Sequence, residues 1–213
     1  MFIIDFDDTL FNTRPGFRDA RAAALAPLGI SDELYQKTYH VARNNENGQV
    51  WYNNRRHAQV LALEGFDEEK VFAAFESTTH PERLKEFLFP DTIWFLEKLK
   101  AFNEPMILLS LGEEEFQYQK VKALDLEKYF DRVFMVDKTK IQVLGELLKN
   151  VSDKNVWFIN DKVPETIEVA RRFSQLKIVM KKSPPFLQAE YEATDLPYFT
   201  TLTEIYEYIA KHR

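Results

Sequence analysis

Short apolar runs and longer amphipathic stretches alternate along much of the chain. Each run is about five residues long and is bounded by polar residues, with apolar side chains at successive positions, which is typical of buried parallel strands. The runs predict strands at Phe2–Phe6, Pro105–Ser110, Arg132–Val136, Asn155–Asn160 and Leu176–Met180. Strands that alternate with helices predict a doubly wound parallel sheet, so we expect an α/β fold.

Between the later strands, apolar residues recur at helical spacing. Asp91 is placed to cap the first of these helices. A second helix is marked by Phe116, Lys120 and Leu124. The buried stripe of a third consists of Leu144, Leu147, Leu148 and Val151.

The segment of residues 12–89 differs from the rest because its pattern is helical throughout. The predicted helices are Phe17–Leu28, Ser31–Arg43, Arg55–Glu64 and Asp67–Glu76. A segment this long is not a simple connection between two strands. We therefore predict a core domain of residues 1–11 and 90–213 and an inserted helical cap domain of residues 12–89. Hinges are expected near Asn12–Pro15 and Phe89–Pro90.

Composition narrows the classes of function. The 213 residues include 28 Lys and Arg against 34 Asp and Glu, a net charge of −6, which argues against nucleic-acid or membrane partners bound through a basic face. There is no cysteine, so thiol nucleophiles and disulfides are excluded. The chain begins without a signal-peptide pattern and has no apolar run near the ~18 residues of a membrane span, so a cytoplasmic location is expected.

The first candidate site is the acidic sequence DFDDTL, where the first predicted strand ends. Open parallel sheets bind ligands beyond the carboxyl ends of their strands. Asp5 and Asp7 are two residues apart, so both side chains can face one side of an extended backbone. Two carboxylates this close need a proton or a cation between them. The simpler alternative is an acidic turn in which Asp8 or Thr9 caps a helix.

Three further polar positions follow later strands. Ser110 ends the second strand, and either Lys138 or Lys140 precedes the helix that carries the Leu144 stripe. Asp161 ends the fourth strand, with Glu165 four residues later. Taken singly, these are a turn serine, a surface lysine and a helix-capping aspartate. In this order after DFDDTL, they form a specific pattern.

That pattern resembles the haloacid dehalogenase (HAD) superfamily, and the helical insertion just after the first motif resembles its α-helical cap. The resemblance implies a HAD-like core and, in the phosphatase-like branch, a Mg²⁺-dependent phosphomonoester hydrolase that acts on a small phosphorylated metabolite. One departure is Asn160, where most relatives have glycine before the metal-binding aspartate. Asparagine tolerates unusual backbone angles better than most residues, so the geometry is expected to survive.

The resemblance also implies a role for each residue. Asp5 would attack phosphorus to form an aspartyl-phosphate, and Asp7 would protonate the leaving alcohol and then activate water. Ser110 and the lysine would hold the phosphoryl oxygens. Asp5, the backbone carbonyl of Asp7, and Asp161 would bind the metal, with Glu165 supporting that shell. Oxygen ligands with open water positions suit Mg²⁺ better than zinc.

The lysine is chosen by helix geometry. Lys140 lies four residues before Leu144, so it continues the buried stripe toward the helix N-terminus and should point at the strand ends. Lys138 is expected outside the helix. We therefore predict Lys140 as the phosphate-binding lysine and keep Lys138 as the alternative.

Several other functions remain open. An acid at Asp7 favours a phosphatase over a dehalogenase, because a leaving halide needs no proton, whereas a phosphomutase shares these motifs. A phospho-acceptor signalling module would carry its aspartate on the third strand and lack the insertion, and a non-catalytic binding protein would not need every catalytic position filled. In the cap, Arg14 and the aromatic and cationic stretch Trp51–His57 could contact the substrate. The simpler interpretation, which we favour, is that they are structural residues, with Trp51 and Tyr52 packed in the cap core.

Overall fold

The computed structural model describes residues 1–149 and 155–213, so Val151 of the predicted stripe lies outside the described residues. Within them, six parallel strands form one sheet in the order β3-β2-β1-β4-β5-β6. The strands are β1 (Phe2–Ile4), β2 (Met106–Leu111), β3 (Arg132–Val136), β4 (Trp157–Asn160), β5 (Lys177–Lys181) and β6 (Tyr198–Phe199). The chain runs outward from β1 in both directions, which confirms the doubly wound α/β fold.

Helices occupy most of residues 12–89, the predicted cap segment. They are α1 (Arg18–Leu25), α2 (Asp32–Arg43), α3 (Asn54–Leu63), α4 (Glu68–Thr78) and α5 (Pro81–Lys85). Ser31 and Asp67 cap α2 and α4 by accepting from the N–H groups of Leu34 and Lys70. These helices enclose a hydrophobic cluster of their own, made of Leu25, Ile30, Tyr35, Ala58, Leu61, Val71 and Phe75.

The remaining helices cover both faces of the sheet. They are α6 (Thr92–Lys100), α7 (Glu114–Ala123), α8 (Ile141–Leu148), α9 (Val163–Arg172), α10 (Gln188–Glu192) and α11 (Leu202–His212). In β1, Phe2 and Ile4 pack into one hydrophobic cluster and Ile3 into the other, because successive strand residues point to opposite faces. A strand buried on both faces reads as a continuous apolar run, as the sequence does here. None of the helices in the described ranges combines the length and apolar character needed to cross a membrane.

Asp91 corrects one expectation from the sequence. It stands at the N-cap position of α6, but its carboxylate makes no cap hydrogen bond there. Instead it accepts from the backbone N–H of Thr203 at 2.9 Å and from the Thr203 hydroxyl at 3.1 Å. The side chain therefore ties the start of α6 to the start of α11.

A buried histidine lies in the hydrophobic cluster of α1–α4. The His57 ring is fully buried, with Nε2 2.9 Å from the Thr38 hydroxyl and Nδ1 3.0 Å from the Tyr52 hydroxyl. Burial, together with the positive charge of Arg21, lowers the pKa of His57 from 6.5 to about 3. The His57 ring is therefore neutral in the folded protein over a wide pH range.

This burial makes stability depend on pH. The unfolded chain takes up a proton at His57 below about pH 6.5, whereas the folded chain does so only near pH 3, so stability is lost as the pH falls between these values. We expect His57 to remove about 2.5 kcal/mol of unfolding free energy between pH 7 and pH 4.5. Urea unfolding of wild type and His57→Gln at both pH values measures this. An equal loss in the two proteins would contradict the expectation.

Candidate active site

The acidic motif forms a compact turn at the carboxyl end of β1. The Asp5 N–H donates to the carbonyl of Ile159 at 2.9 Å, which holds the start of the turn against β4. The turn closes through Asp8, whose φ is 61°, in the left-handed region that asparagine and aspartate tolerate better than most residues. The Asp8 carboxylate accepts from the backbone N–H and the Nε of Arg14, at 2.7 and 2.6 Å. Its side chain therefore anchors the entry to the cap helices, and the helix-cap alternative does not describe it.

Asp5 lies at the centre of the site and is only 3% exposed. Its Oδ1 accepts from Lys140 Nζ at 2.6 Å, and its Oδ2 accepts from the Thr9 hydroxyl at 3.2 Å. The Lys140 ammonium also lies 3.0 Å from a carboxylate oxygen of Glu165. Burial alone would lower the pKa of Lys140, but these two carboxylates outweigh it and hold the pKa above its usual range.

The two candidate lysines are clearly separated by the structure. Lys140 is fully buried and reaches Asp5, whereas Lys138 is exposed. Lys140 stands at the N-cap position of α8, one turn before Leu144, so the buried stripe does continue to it. The geometry thus brings Lys140 to Asp5 and leaves Lys138 at the surface.

Asp7 is half-buried and has three hydrogen-bond donors. Its Oδ1 accepts from Thr13 at 2.6 Å and from Lys120 Nζ at 2.9 Å, and its Oδ2 accepts from Gln117 Nε2 at 2.5 Å. Burial alone would raise the pKa of Asp7, but the charge of Lys120 and the hydrogen bonds lower it from 3.8 to about 2. Asp7 is therefore a carboxylate in this state of the protein.

Sequence reasoning missed the partners of Asp7 on α7. Lys120 and Gln117 are each 3% exposed, although both residue types are usually at the surface. The available signal was that Lys120 falls four residues after Phe116 on the apolar face of its helix. A lysine at such a position is expected to have a buried anionic partner, and here that partner is Asp7.

Ser110 is fully buried in β2, next to β1 in the sheet. Its hydroxyl accepts from Gln117 Nε2 at 3.2 Å, so one amide connects Ser110 to Asp7. Gly112 makes this connection possible, because a Cβ there would stand 2.4 Å from Gln117 Cγ. Gly112, which follows the second motif, therefore leaves the space that the Gln117 side chain occupies.

Asp161 is fully buried beside the same strand ends. Its Oδ2 accepts from the Ser183 hydroxyl at 2.8 Å, while its Oδ1 has no hydrogen-bond partner among the described residues. Lys162 rather than Asp161 stands at the N-cap position of α9, so capping does not account for this aspartate. Burial, followed by the nearby charges of Asp5 and Asp8, holds the pKa of Asp161 well above its usual range.

Asn160 acts through its side chain. Its φ is not positive, unlike that of four other non-glycine residues in the described chain, so no unusual backbone angle is needed there. Its Oδ1 accepts from Lys140 Nζ at 2.8 Å, and its Nδ2 donates to Glu165 Oε2 at 3.1 Å. Asn160 and Glu165 together position the ammonium group of Lys140, a role that the sequence comparison with glycine did not suggest.

The donor set fits a magnesium ion. The described residues contain no group of three or more His, Asp or Glu side chains arranged to hold a metal on their own. Mg²⁺ needs fewer protein side chains than that, because it usually keeps several water ligands and binds only one or two carboxylates. The unpartnered Oδ1 of Asp161 is such a donor, and Asp5 interacts electrostatically with it. The side chains of Asp7 and Glu165 contact Lys120 and Lys140. The metal contact expected of the Asp7 backbone carbonyl and the supporting role of Glu165 stay predictions.

A cavity of about 340 Å³ lies between these carboxylates and the cap helices. Asp5 and Asp7 line one part of it, and residues of α1 and α2 line another. Of the two cap candidates, Arg14 lines the cavity and also lies 3.8 Å from Asp161. In the stretch Trp51–His57, Tyr52 is buried and lines the cavity, but Trp51 is 51% exposed, so the expectation that Trp51 packs inside the cap was wrong.

Comparison with known proteins agrees with this architecture. A haloacid dehalogenase-like hydrolase of Burkholderia xenovorans shares the fold with a TM-score of 0.77 at 18% identity, covering 99% of this chain and 96% of that chain. The HAD-hydrolase YfnB of Bacillus subtilis, bound to magnesium, has a TM-score of 0.64 at 14% identity, covering 98% and 97%. A structure assigned as a β-phosphoglucomutase of Thermotoga maritima gives 0.68 at 17% identity, covering 99% and 98%.

At these identities the solved structures establish the fold. Structures of two predicted phosphatases and of a dehalogenase are also similar. A search of curated proteins found no match. The family model for haloacid dehalogenase-like hydrolases, however, matches residues 2–179, which include β1 through β4 and every motif described above. With this match over most of its length, the chain belongs to the haloacid dehalogenase-like hydrolases.

Proposed function

We propose that this hydrolase cleaves phosphomonoesters of small metabolites, with Asp5 as nucleophile and Mg²⁺ as cofactor. One observation carries the proposal. The buried Asp5 carboxylate lines the same cavity as Asp7, with the Lys140 ammonium 2.6 Å away. A nucleophile, a group able to carry a proton and a fixed positive charge are the parts that phosphoryl transfer to a carboxylate needs.

In the first step, a carboxylate oxygen of Asp5 attacks phosphorus and the ester P–O bond breaks. The departing alkoxide takes a proton from Asp7 and leaves as an alcohol. Lys140 and Ser110 stabilise the charge on the phosphoryl oxygens. In the second step, Asp7 removes a proton from water, the water oxygen attacks phosphorus, and inorganic phosphate and the Asp5 carboxylate are released.

Asp7 must gain a proton before the first step, because Lys120 and two other donors keep it ionised in the substrate-free protein. A phosphate group that enters the cavity brings negative charge close to Asp7, which raises the pKa of a carboxyl. It also competes for the ammonium of Lys120. Substrate binding would thus convert Asp7 from its resting base form into the required acid.

Mg²⁺ would be held by Asp5, Asp161 and the backbone carbonyl of Asp7. When bound, it supplies positive charge that offsets repulsion between the carboxylates and the substrate phosphate. Asp161 is well prepared for this role, because one of its oxygens is buried with no described partner. Ser183 fixes the other oxygen and so orients the carboxylate.

The cap helices of residues 12–89 would cover the cavity and choose the substrate. This part of the proposal rests on their separate hydrophobic cluster and on the cavity residues that they contribute. The structure of YfnB bound to magnesium reveals interdomain movement in that protein. We propose a similar movement here about the linkers near Asn12–Pro15 and Phe89–Pro90.

A magnesium-dependent phosphatase assay tests the proposal. We expect hydrolysis of p-nitrophenyl phosphate that falls at least tenfold after EDTA treatment and returns when Mg²⁺ is added. Asp161→Asn should weaken Mg²⁺ binding measured directly by calorimetry, since it removes a charged ligand. A 2-haloacid in place of the ester distinguishes a dehalogenase. Halide release without phosphate release, or phosphatase activity that persists in EDTA, would contradict the proposal.

A further inference from the structure

Part of the cavity is lined by cationic residues whose charge the described chain does not balance. Arg14 and Lys120, which also line it, are paired with Asp8 and Asp7. Arg18 and Arg21 project from successive turns of α1, and neither makes a salt bridge among the described residues. Arg43 of the cap and Lys162 of the core also line the cavity without a salt bridge among the described residues, so three of these four unpaired cations lie on the cap side.

Arg21 is the most unusual of these residues, since it is only 2% exposed. Its guanidinium donates to three neutral groups: the Thr78 hydroxyl at 3.3 Å, the Asn54 side-chain oxygen at 2.8 Å and the Tyr52 hydroxyl. It also lies 4.3 Å from the ring centre of Phe75. Buried arginines are normally paired with an anion, because neutral contacts replace only part of the lost hydration.

Unpartnered polar atoms mark the same place. In the described part of the chain, Arg18 Nε and Arg21 Nε are buried without a hydrogen-bond partner, the buried Tyr35 hydroxyl donates to no described group, and all three residues line the cavity. Buried donors are seldom left unpaired in native proteins, so such a cluster points to a bound group that accepts hydrogen bonds. We define Arg18, Arg21 and Tyr35 as the cap subsite.

The cap subsite lies close to the reacting groups. Arg21 and Lys120 flank the same two rings: they lie 5.2 and 5.8 Å from the centre of Phe17 and 5.8 and 5.5 Å from that of Phe116. Lys120 in turn contacts Asp7. One small molecule in the cavity can therefore reach both Asp7 and the cap subsite.

We propose that the cap subsite binds a second anionic group, a carboxylate or a phosphate, on the alcohol part of the substrate. This deepens the proposed function and rests on it. Arg18 and Arg21 each keep an Nε–H donor without a described partner, which a charged oxygen of either anion can accept, and the Tyr35 hydroxyl adds another donor. The preferred substrates would be phosphorylated hydroxy acids or bisphosphates with a short carbon chain, rather than phosphate esters of neutral alcohols.

Binding of three phosphonates to the Mg²⁺-loaded protein tests this without requiring turnover. The probes are 3-phosphonopropionate, propane-1,3-bisphosphonate and propylphosphonate, compared by calorimetry. We expect at least one charged probe to bind ten or more times more tightly than propylphosphonate. The better of the two identifies the second group as a carboxylate or a phosphate. Equal affinity for all three probes would overturn the proposal.

Arginine variants show which residues cause the tighter binding of the charged probes. Arg21→Met should reduce the affinity ratio between the charged and neutral probes to less than threefold. Arg18→Met, at a less buried position of the same subsite, should also lower this affinity ratio. It replaces Arg21→Met in the test if that variant does not fold. Arg55→Met is the matched control, because Arg55 is a cap arginine paired with Glu69 and does not line the cavity. A preference that survives both subsite variants would overturn the proposal.

The two proposals fail in different ways. A charged-probe preference that depends on Arg18 and Arg21 in a protein that does not hydrolyse p-nitrophenyl phosphate would leave the cap subsite standing and refute the phosphatase. Hydrolysis of p-nitrophenyl phosphate by a protein that binds the three phosphonates equally would support the phosphatase and refute the cap subsite.

Discussion

Asp5→Asn is expected to lower the kcat for p-nitrophenyl phosphate by at least about 10⁴-fold, the scale of losing a catalytic nucleophile. The amide keeps the shape of the carboxylate but is a poor nucleophile toward phosphorus. Steady-state kinetics with Mg²⁺ at saturating substrate measures the loss. Activity above about 1% of wild type would remove Asp5 from the nucleophile role.

A folding control accompanies this variant. Lys140 keeps its contacts with Glu165 at 3.0 Å and Asn160 at 2.8 Å when Asp5 loses its charge, so the ammonium remains paired. We therefore expect a cooperative unfolding transition for Asp5→Asn. Loss of activity with a retained transition separates a chemical effect from a structural one.

Lys140→Ala is expected to lower kcat by about 10²-fold or more, in the range of losing one charge-stabilising donor. The substitution also leaves the carboxylates of Asp5 and Glu165 without their shared cation. Breaking a buried ion pair costs about 3–5 kcal/mol, so stability should fall as well. Activity must be measured well below the unfolding transition of the variant.

Lys138→Ala is the matched control, since Lys138 is exposed and two residues away. It should have kcat and unfolding free energy close to wild type, because its side chain is exposed and makes no salt bridge among the described residues. The same assay on both variants decides between the lysines. A larger loss in Lys138→Ala would transfer the phosphate-binding role to Lys138.

Much of the fold could be predicted because it depends on local patterns. The β3 bounds agree with the prediction, and the other predicted strands differ by a residue or two at their ends, as expected of apolar runs bounded by polar residues. Tyr198–Phe199 was missed because a two-residue strand has too little length for a periodic pattern. Asp91 was misassigned because residue type favours capping, whereas its hydrogen bonds go to a residue more than 100 positions away.

The candidate site was predictable where a motif stands at a strand end. Asp5, Ser110 and Asp161 are brought together by neighbouring strands, as the order of motifs predicted. The groups that tune these residues were not predictable, because they come from helix faces whose rotation a sequence does not specify. The pattern of Lys120 is that of an ordinary helical lysine, yet its charge lowers the pKa of Asp7.

The central claim is that the phosphoryl group passes through Asp5. Its most direct test uses Asp7→Asn, which should slow hydrolysis of the intermediate by removing the base. The variant is mixed with p-nitrophenyl phosphate and Mg²⁺, quenched in acid, reduced with borohydride, and analysed by peptide mass spectrometry. An acyl phosphate is reduced to an alcohol, so the account predicts homoserine at position 5. Release of p-nitrophenol with Asp5 left as aspartate, or with the phosphate found on another residue, would contradict it.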